Sequence, residues 1–289
     1  MGEGRLGVRK TYKLYIGGAF PRSESGRSYE VTGAGGEFLA NVALASRKDV
    51  RDAVVAARRA QPGWSSATAY LRGQVLYRAA EMMEGRRGQF AEVVAGAEGL
   101  AAGEAASVVG AAVDRMVWYA GWSDKLAQVA GAANPVAGPY FNFSVPEPTG
   151  VVGVLAPQAS SLLGLVSVLA PVVVSGNAAV VVASQERPLP AVELAEVLAT
   201  SDLPGGVVNM LTGRTAELAP VLAAHRDVEA LDLAGAPEGL EAELEATAAG
   251  NVKRVLRRRK PEPDWAGEPG PERMLYFVET KTVWHPIGL

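Results

Sequence analysis

The side chains that most often carry covalent or metal chemistry are scarce in this sequence. Its 289 residues include no cysteine, and only His225 and His285 carry an imidazole. The lack of cysteine excludes a thiolate nucleophile, a thiolate metal site and a disulfide. Two histidines are also too few for a multi-histidine metal centre within one chain. We therefore expect no metal site, and we assign no catalytic residue.

Charged and aromatic clusters add no further site. The 28 basic and 31 acidic residues leave a net charge of −3, so no overall field attracts nucleic acid or an anionic membrane. The basic run at residues 257–260 follows a predicted strand and is typical of a solvated turn. The aromatic cluster at 118–122 favours a helix at a domain interface over an aromatic ligand cage. We predict neither nucleic acid nor a membrane as a partner.

The elements that would position a site are clearest from residue 147 onward. Short β-branched runs alternate there with longer Leu/Ala segments, separated by Gly, Pro and Asn, which is typical of βαβ units. Strands are predicted at 151–155, 178–182, 207–211, 229–233 and 252–256, and helices at 161–174, 190–200, 216–224 and 238–248. This alternation predicts an α/β fold with a Rossmann-like parallel sheet. Ligands of such sheets bind beyond the carboxyl ends of the strands.

The remaining segments surround this sheet. Predicted elements are a short hairpin between 14–20 and 28–31, helices at 49–60 (ending ahead of Pro62), 70–97 and 104–126, and a half-exposed strand at 140–145. Residues 161–183 are long enough to cross a bilayer, but Pro171 and Asn177 predict a helix followed by a strand instead. The N-terminal residues contain no apolar leader, so we expect a cytoplasmic protein.

The order and spacing of these segments resemble the aldehyde dehydrogenase superfamily. The match rests on Ile-Gly-Gly at 16–18, an acid-capped Ala/Val-rich helix followed by a tryptophan, WYAGWSDKL at 118–126 and the motifs of 147–236. The resemblance covers about the first 255 residues and the last dozen. It implies a cofactor-binding domain at 1–256 with an oligomerisation hairpin at about 134–148, a linker at 257–273 and a small β oligomerisation element, the C-terminal strand, at 274–289.

The resemblance places the cofactor site at positions where this sequence lacks the family's polar groups. The asparagine that donates to the oxyanion corresponds to Ala159, in the loop that contains Pro157 and Gln158. Alanine has no donor for an oxyanion. The lysine and glutamate that bind the adenosine ribose correspond to Val182 and Gln185, of which only Gln185 can accept a hydrogen bond from a hydroxyl.

Two further cofactor motifs are altered. The family's glycine-rich turn keeps Gly213 but has Thr215 and Ala219 at its other glycines, and added Cβ atoms narrow such an approach. The family's Phe-Thr-Gly-Ser segment is Leu-Ala-Gly-Ala here, so Gly235 and Ala236 offer backbone N–H groups to an anion but no hydroxyl. We expect no tightly bound cofactor, and only weak NAD(P) binding if any.

The resemblance also implies that the catalytic domain is absent. After residue 255 the family continues with its general base and the domain that carries its nucleophilic cysteine, whereas this chain enters a segment rich in Arg and Pro. Without a thiolate, an aldehyde cannot acylate the enzyme. The chain therefore resembles the second, non-catalytic module of the two-module aldehyde dehydrogenase subfamily.

The terminal segment resembles the strand with which the family extends the catalytic-domain sheet of a neighbouring subunit. Keeping this strand without the domain that receives it implies a partner, because strands associate by edge pairing. The predicted oligomerisation residues are Tyr140, Phe141, Phe143, Phe277, Val278, Thr280, Lys281, Thr282, Val283 and Trp284.

Three hypotheses for function follow. The first is a non-catalytic subunit that associates with a catalytic aldehyde dehydrogenase in a hetero-oligomer and supports it. The second is an NAD(P)-binding sensor or weak oxidoreductase of the same superfamily. The third is a homo-oligomeric scaffold, in which the terminal strand pairs with residues 140–145 of another copy.

Overall fold

The computed structural model describes residues 9–288, and its elements follow the predicted α/β alternation after residue 147. The strands are β1 (Thr11–Tyr12), β2 (Ser28–Thr32), β3 (Phe38–Ala43), β4 (Ala132–Asn134), β5 (Tyr140–Pro148), β6 (Val151–Leu155), β7 (Ala178–Val182), β8 (Val208–Leu211), β9 (Ala230–Asp232), β10 (Arg254–Leu256) and β11 (Val278–Pro286). The helices are α1 (Arg47–Ser66), α2 (Ala69–Gly85), α3 (Arg87–Glu98), α4 (Ala102–Ala120), α5 (Leu126–Ala130), α6 (Leu163–Val174), α7 (Leu189–Leu198), α8 (Thr215–Ala224), α9 (Glu241–Ala248) and α10 (Glu272–Tyr276).

Five parallel strands form the central sheet, in the order β10-β9-β6-β7-β8. Helices α2, α3, α4, α6 and α7 pack on one face of it, and α1, α8 and α9 pack on the other. β6 and β7 are consequently buried on both faces, which is why their sequences are continuous apolar runs. The predicted α/β fold with a Rossmann-like parallel sheet is confirmed, and β6 and β7 have the predicted bounds.

Helix α1 begins at a capping box and runs past the proline that was expected to end it. Ser46 is the N-cap, and the Asp49 carboxylate accepts from the Ser46 backbone N–H at 2.7 Å. Pro62 lies inside the helix. The last turn is retained because Trp64 is buried and its Nε1–H donates to the Val173 carbonyl at 2.8 Å. The predicted helix end at Pro62 is wrong, because burial of Trp64 outweighs the lost backbone hydrogen bond.

The N-terminal sheet is assembled differently from the predicted hairpin. β3 is its central strand, with β1 parallel on one side and β2 antiparallel on the other. Residues 14–20 form a tight turn, and Tyr15 forms a bridge to Met210 of β8. Gly18 has a φ of +84°, and a Cβ there would lie 2.8 Å from the Cα of Gly205. The turn therefore needs glycine both for its backbone angle and for its close packing.

Helices α2 to α4 replace two longer predicted helices, with a break at Arg86 between α2 and α3. Among residues 9–288, no single helix is long and apolar enough to cross a bilayer. α3 and α4 pass that test of length and composition only as a pair, and they are bent by 116° relative to each other. The predicted break within residues 161–183 is present, because α6 ends at Val174 and β7 begins at Ala178.

A third sheet contains the C-terminal strand, in the order β11-β5-β4. β11 pairs antiparallel with the whole of β5, from Val278 opposite Pro148 to Pro286 opposite Tyr140. The strand begins at Val278, later than the predicted residue 274, because the preceding residues form α10.

The segment between β10 and α10 has no helix or strand, and it is held against α4 and α6; α10 begins at Glu272, inside the predicted linker at 257–273. Arg115 of α4 is buried, and its guanidinium donates to Ser167 Oγ at 2.6 Å and to the carbonyls of Trp265 and Gly267 at 2.8 and 2.7 Å. These contacts attach residues 257–271 to the main body of the protein.

Candidate functional site

The candidate site lies at the carboxyl ends of β6 to β9. The chain passes from β6 to β7 and β8 on one side of the sheet, and then to β9 on the other side of β6. The order therefore reverses between β6 and β9, and such a switch point is where ligands of open α/β sheets bind. The structure brings all of the predicted cofactor positions to the carboxyl-end side of the sheet, namely Pro157, Gln158, Val182, Gln185, Gly213, Gly235 and Ala236.

The side chain of Gln158 lies at the switch point, between the loops that follow β6, β7 and β9. Its Nε2 donates to the Ala156 carbonyl at 2.9 Å and more weakly to the Gly235 carbonyl at 3.5 Å. Its Oε1 accepts from the backbone N–H of Gln185 at 2.9 Å. The loops that follow β6, β7 and β9 are thus connected through one amide, and both ends of that amide are hydrogen-bonded inside the chain.

Gln185 is also bonded within the chain. Its Oε1 accepts from the Thr215 backbone N–H at 3.2 Å, at the start of α8, and its carbonyl accepts from the Tyr29 hydroxyl at 3.0 Å. An open groove of about 460 Å³ lies beside it and is lined in part by Arg187 and Arg214. The Thr215 hydroxyl is buried and has no hydrogen-bond partner among the described residues.

Val182 and Gly213 contribute packing at this edge. Val182 is fully buried in the apolar core on the α1 face, so it has no polar group to offer. Gly213 has a φ of +157°, and a Cβ there would lie 3.0 Å from Leu218 Cδ1 and 3.3 Å from the Ala45 backbone nitrogen. Glycine at position 213 is therefore explained by close packing inside the chain.

Gly235 lets the turn after β9 press against the end of β6. A Cβ at this position would lie 1.7 Å from the Ala156 carbonyl oxygen, and the Gly235 N–H donates to the Leu155 carbonyl at 2.8 Å. The neighbouring N–H groups are also used, since Ala234 donates to Asp232 Oδ1 at 3.1 Å and Ala236 donates to the Leu233 carbonyl at 3.0 Å. The backbone groups that the sequence offers to an anion are therefore bonded within the chain.

Carboxylates of the chain itself lie at two helix N-termini on this side of the sheet. Glu98 Oε1 accepts from the N–H and the hydroxyl of Ser161, at 2.7 and 2.6 Å, just ahead of α6. Glu241 is the first residue of α9 and lies 3.7 Å from Arg258 and 3.4 Å from Lys260. A carboxylate at a helix N-terminus is stabilised by the helix dipole, as a bound phosphate would be.

The pKa of Glu241 reflects this position. Burial is the largest single influence and raises the pKa, but hydrogen bonds from the backbone N–H groups of Glu241 and Gly239, together with Lys260, lower it further than burial raises it. The carboxyl pKa therefore lies below its usual value, and the ionised form is favoured.

Sequence reasoning missed several polar residues at this edge. Glu98 and Ser161 are 63 residues apart, so no local pattern predicts their contact. The only local signal was the Ser-Ser pair ahead of α6, because serine is typical of a helix N-cap. Asp232, at the end of β9, forms an ion pair with Arg273 of α10, and its side chain is only 1% exposed. Ala159 is exposed, and its carbonyl accepts from Arg187 at 2.6 Å.

Nothing in the described chain gathers catalytic groups at this edge. Within residues 9–288, no cluster of three or more His, Asp or Glu side chains could hold a metal ion. The ring of His225 lies in the loop after α8, at the opposite end of that helix from Thr215, where burial lowers its pKa. His285 is an exposed residue of β11.

The predicted oligomerisation residues divide into an exposed and a buried group. Tyr140, Phe141, Thr280, Lys281, Thr282 and Trp284 are exposed, and Phe143 and Val283 are half-buried. Tyr140 and Trp284 form an edge-to-face pair with ring centroids 5.7 Å apart.

Phe277 and Val278 are a correction to that prediction. Phe277 is fully buried in the main core, and its carbonyl accepts from Asn177 Nδ2 at 2.8 Å. Val278 is also buried, so neither side chain is available to another subunit. The reason is that α10 folds this end of the segment back onto α6 before β11 begins.

The pairing of the terminal strand with residues 140–145 forms within a single chain. β5 has β11 on one side and β4 on the other, so both of its edges are occupied. Another copy can take this position only by exchanging β11.

Three comparisons agree with this fold. The cytosolic 10-formyltetrahydrofolate dehydrogenase of Mus musculus is 33% identical over 263 residues, covering 87% of this chain and 28% of that protein. Aldehyde dehydrogenase, cytosolic 1, of Elephantulus edwardii is 32% identical over 252 residues, covering 84% and 49%. The NAD⁺ complex structure of an aldehyde dehydrogenase from Bacillus cereus is similar with a TM-score of 0.80 at 26% identity, covering 85% of this chain and 50% of that chain.

The chain thus spans about half, or less, of the length of these relatives. A model of the aldehyde dehydrogenase family matches residues 20–257, which is most of the sequence. By this match and by its fold, the chain belongs to the aldehyde dehydrogenase family.

Proposed function

We propose that this chain is a non-catalytic member of the aldehyde dehydrogenase family that associates with a catalytic aldehyde dehydrogenase and supports it. One observation carries the proposal. The groups that would face a cofactor, from Gln158 to Gly235, are hydrogen-bonded to one another, whereas β11 is the outer strand of an exposed sheet. The surface left for recognition is therefore one that suits another protein.

The chemistry of the side chains supports the non-catalytic part of this proposal. The sequence contains no cysteine, so no thiolate can attack an aldehyde carbonyl. Ala159 supplies no side-chain donor for an oxyanion, and its exposed position leaves it without a water-excluding wall.

The same geometry does not favour tight NAD(P) binding. A dinucleotide at this edge would have to replace the contacts that Gln158, Gln185 and Gly235 make inside the chain. Each hydrogen bond lost without replacement costs about 0.5–1.5 kcal/mol. Val182 and the carboxylates of Glu98 and Glu241 add no compensating donor, and the carboxylates repel a pyrophosphate.

The test is affinity capture from the native host with the tagged chain. We expect a full-length aldehyde dehydrogenase to co-purify in a fixed ratio, as measured by mass spectrometry of the intact complex. The matched control is Thr282→Pro, which removes an outward N–H of β11 and the exposed hydrogen bond between the Thr282 and Ser144 hydroxyls, but no backbone bond to β5. A monodisperse chain with no affinity for a full-length aldehyde dehydrogenase contradicts the proposal.

The second candidate is an NAD(P) sensor. It is favoured by the Thr215 hydroxyl, which has no partner among residues 9–288, and by the adjacent groove with Arg187 and Arg214. Calorimetric titration with NAD and NADP separates the two candidates. A dissociation constant of about 1 mM or weaker, equivalent to roughly −4 kcal/mol or less of binding free energy, eliminates the sensor. Binding near 1 μM, equivalent to about −8 kcal/mol, contradicts the closed site described above.

A further inference from the structure

The hydrogen bonds at the two ends of the β5–β11 pairing show which backbone groups of β11 point away from β5. The Thr149 N–H donates to the Phe277 carbonyl at 3.2 Å, and the Ile287 N–H donates to the Pro139 carbonyl at 2.8 Å. The register between these ends is unbroken. Alternate residues of an antiparallel strand bond to the same neighbour. The odd-numbered residues of β11 therefore bond to β5, and the even-numbered ones direct their N–H and C=O groups away from it.

These outward groups form a free edge, which we define as Thr280, Thr282, Trp284 and Pro286. All four residues are exposed, and β11 has no second strand neighbour among the described residues. Pro286 lacks an N–H, but at an outward position this removes no bond to β5. An exposed edge of this length is a template for another strand.

We infer that the free edge is closed by the same edge of a second copy, in an antiparallel pair about a two-fold axis at Thr282. Thr282 is the midpoint of β11, so this register overlaps the two strands along their whole length. It places Thr282 opposite its counterpart and Thr280 opposite Trp284 of the second copy as hydrogen-bonded pairs. A two-fold interface of this kind uses one patch twice and closes the assembly at two chains.

The side chains of β11 are compatible with this register. Thr282 lies opposite its counterpart, and Thr–Thr pairs stabilise a sheet, whereas like charges directly opposite destabilise it. Glu279 and Lys281 lie opposite His285 and Val283 of the second copy, and both keep their ion pairs within the chain, with Arg254 and Glu147. Trp284, which is 59% exposed in the single chain, gains cover from Thr280 of the second copy.

Neighbouring registers fit less well. An axis at Lys281 places two lysine ammonium groups opposite each other, and an axis at Val283 places Lys281 opposite His285. An axis at Thr280 pairs Glu279 with Lys281, but it sets residues 283–286 of one copy against Phe277 and α10 of the other, which are not strand.

This inference goes beyond the proposed function and does not depend on it. The edge that closes the homodimer is the edge that a catalytic partner would use, so the homodimer is the form expected when that partner is absent. A chain that dimerises in this way but captures no dehydrogenase refutes only the proposed function. A chain that captures a dehydrogenase but is monomeric alone refutes only the homodimer.

The first test uses cysteine as a reporter, because the sequence contains none. Thr282→Cys places two thiols in a hydrogen-bonded pair with Cα atoms about 5.5 Å apart, which is within disulfide range. In the same register, two cysteines from Thr280→Cys lie about 14 Å apart along the strands. After mild oxidation we expect a covalent dimer from Thr282→Cys and a monomer from Thr280→Cys on a denaturing gel. No dimer from either variant, or an equal yield from both, overturns the inference.

The second test separates the edge from the fold of the sheet. Thr282→Pro removes an outward N–H, and we expect it to raise the dimer dissociation constant about tenfold or more in sedimentation experiments. Its unfolding midpoint should stay near that of the wild type, because the bond to β5 that it also removes, between the Thr282 and Ser144 hydroxyls, is exposed. Val283→Pro removes an N–H that bonds to β5, and we expect a lower unfolding midpoint. A wild-type chain that sediments as a monomer, or a Thr282→Pro variant that dimerises as well as the wild type, overturns the inference.

Discussion

Two regions of the molecule differ in whether their polar groups have partners inside the chain. One is the candidate site at the carboxyl ends of β6 to β9, which we call the crevice, and the other is the outer edge of β11. In the crevice, the Gln158 amide, the Gly235 N–H and the Glu98 carboxylate each have partners inside the chain. At the edge of β11, successive even-numbered backbone groups face outward. These groups at the usual ligand site of the fold are therefore bonded inside the chain, whereas backbone groups along β11 are open to a partner strand.

The comparison predicts that substitutions in the crevice destabilise the fold, and that equivalent substitutions on the exposed β11-β5-β4 sheet do not. The largest expected effect is for Asp232→Ala, which leaves the Arg273 guanidinium without its partner in a largely buried position. We expect a loss of about 3–5 kcal/mol in the free energy of unfolding, measured by denaturant titration. The control is Glu147→Ala, which breaks an exposed ion pair with Lys281, and it should cost less than about 1 kcal/mol. Equal losses from the two variants contradict the comparison.

Gly235→Ala tests the close contact between β6 and the turn after β9. Its Cβ would lie 1.7 Å from the Ala156 carbonyl oxygen, so the backbone has to move, at a cost of about 1–3 kcal/mol or more. Gly103→Ala in α4 is the matched control, since no atom lies within 4 Å of the added Cβ. Alanine in a helix should stabilise the control by up to about 1 kcal/mol. The measurement is the thermal unfolding midpoint of each variant. A Gly235→Ala variant as stable as the wild type would show that the turn after β9 can move away from the end of β6.

Glu193 tests whether a closed polar network outside the crevice behaves in the same way. This buried residue of α7 accepts from Gln89 at 2.5 Å and from the Tyr12 hydroxyl at 3.5 Å. Burial, followed by the nearby Glu196, raises its pKa above the usual 4.5. Because the folded state binds this proton more tightly, its contribution to stability is complete below pH 4.5 and is lost as the pH rises through the folded pKa.

We therefore expect Glu193→Gln to remove a decline in unfolding midpoint that the wild type shows above pH 4.5. The measurement is the midpoint of each protein at a series of pH values up to 7. Parallel pH profiles for the two proteins would show that Glu193 does not titrate with folding.

The smallest effect is expected on the exposed sheet. Trp284→Ala removes a large side chain that is 59% exposed, so the unfolding free energy of the single chain should change by no more than about 0.5 kcal/mol. The chain must be measured at concentrations where it is monomeric. A loss above 2 kcal/mol would mean that the edge-to-face contact with Tyr140 is part of the fold, and that the sheet is less open than its exposure indicates.

The parallel sheet was predictable from sequence because its strands are continuous apolar runs. β6 and β7 were predicted to the residue, and α6 and α8 to within two residues. The course of α1 past Pro62 was not predictable, because the contact that retains its last turn joins Trp64 to a residue of α6, far away in the sequence.

The residues of the candidate site were also predictable, but their hydrogen-bond partners were not. Only the structure shows that the side-chain amide of Gln158 accepts from the Gln185 backbone N–H, and that the side-chain amide of Gln185 accepts from the Thr215 backbone N–H. The Asp232–Arg273 pair depends on α10 returning to the end of β9. Long-range pairing of this kind leaves no periodic signal in a single sequence.

The connection between β10 and α10 has a consequence for where the chain tolerates an insertion. The Tyr276 hydroxyl donates to the Val255 carbonyl at 2.6 Å, and Arg254 pairs with Glu279 at 2.6 Å, so the two ends of residues 257–271 are held beside each other. A chain whose ends already meet can be lengthened there cheaply, because the entropy of loop closure grows slowly with length. An insertion at this junction is therefore expected to leave the packing of the sheets on either side unchanged.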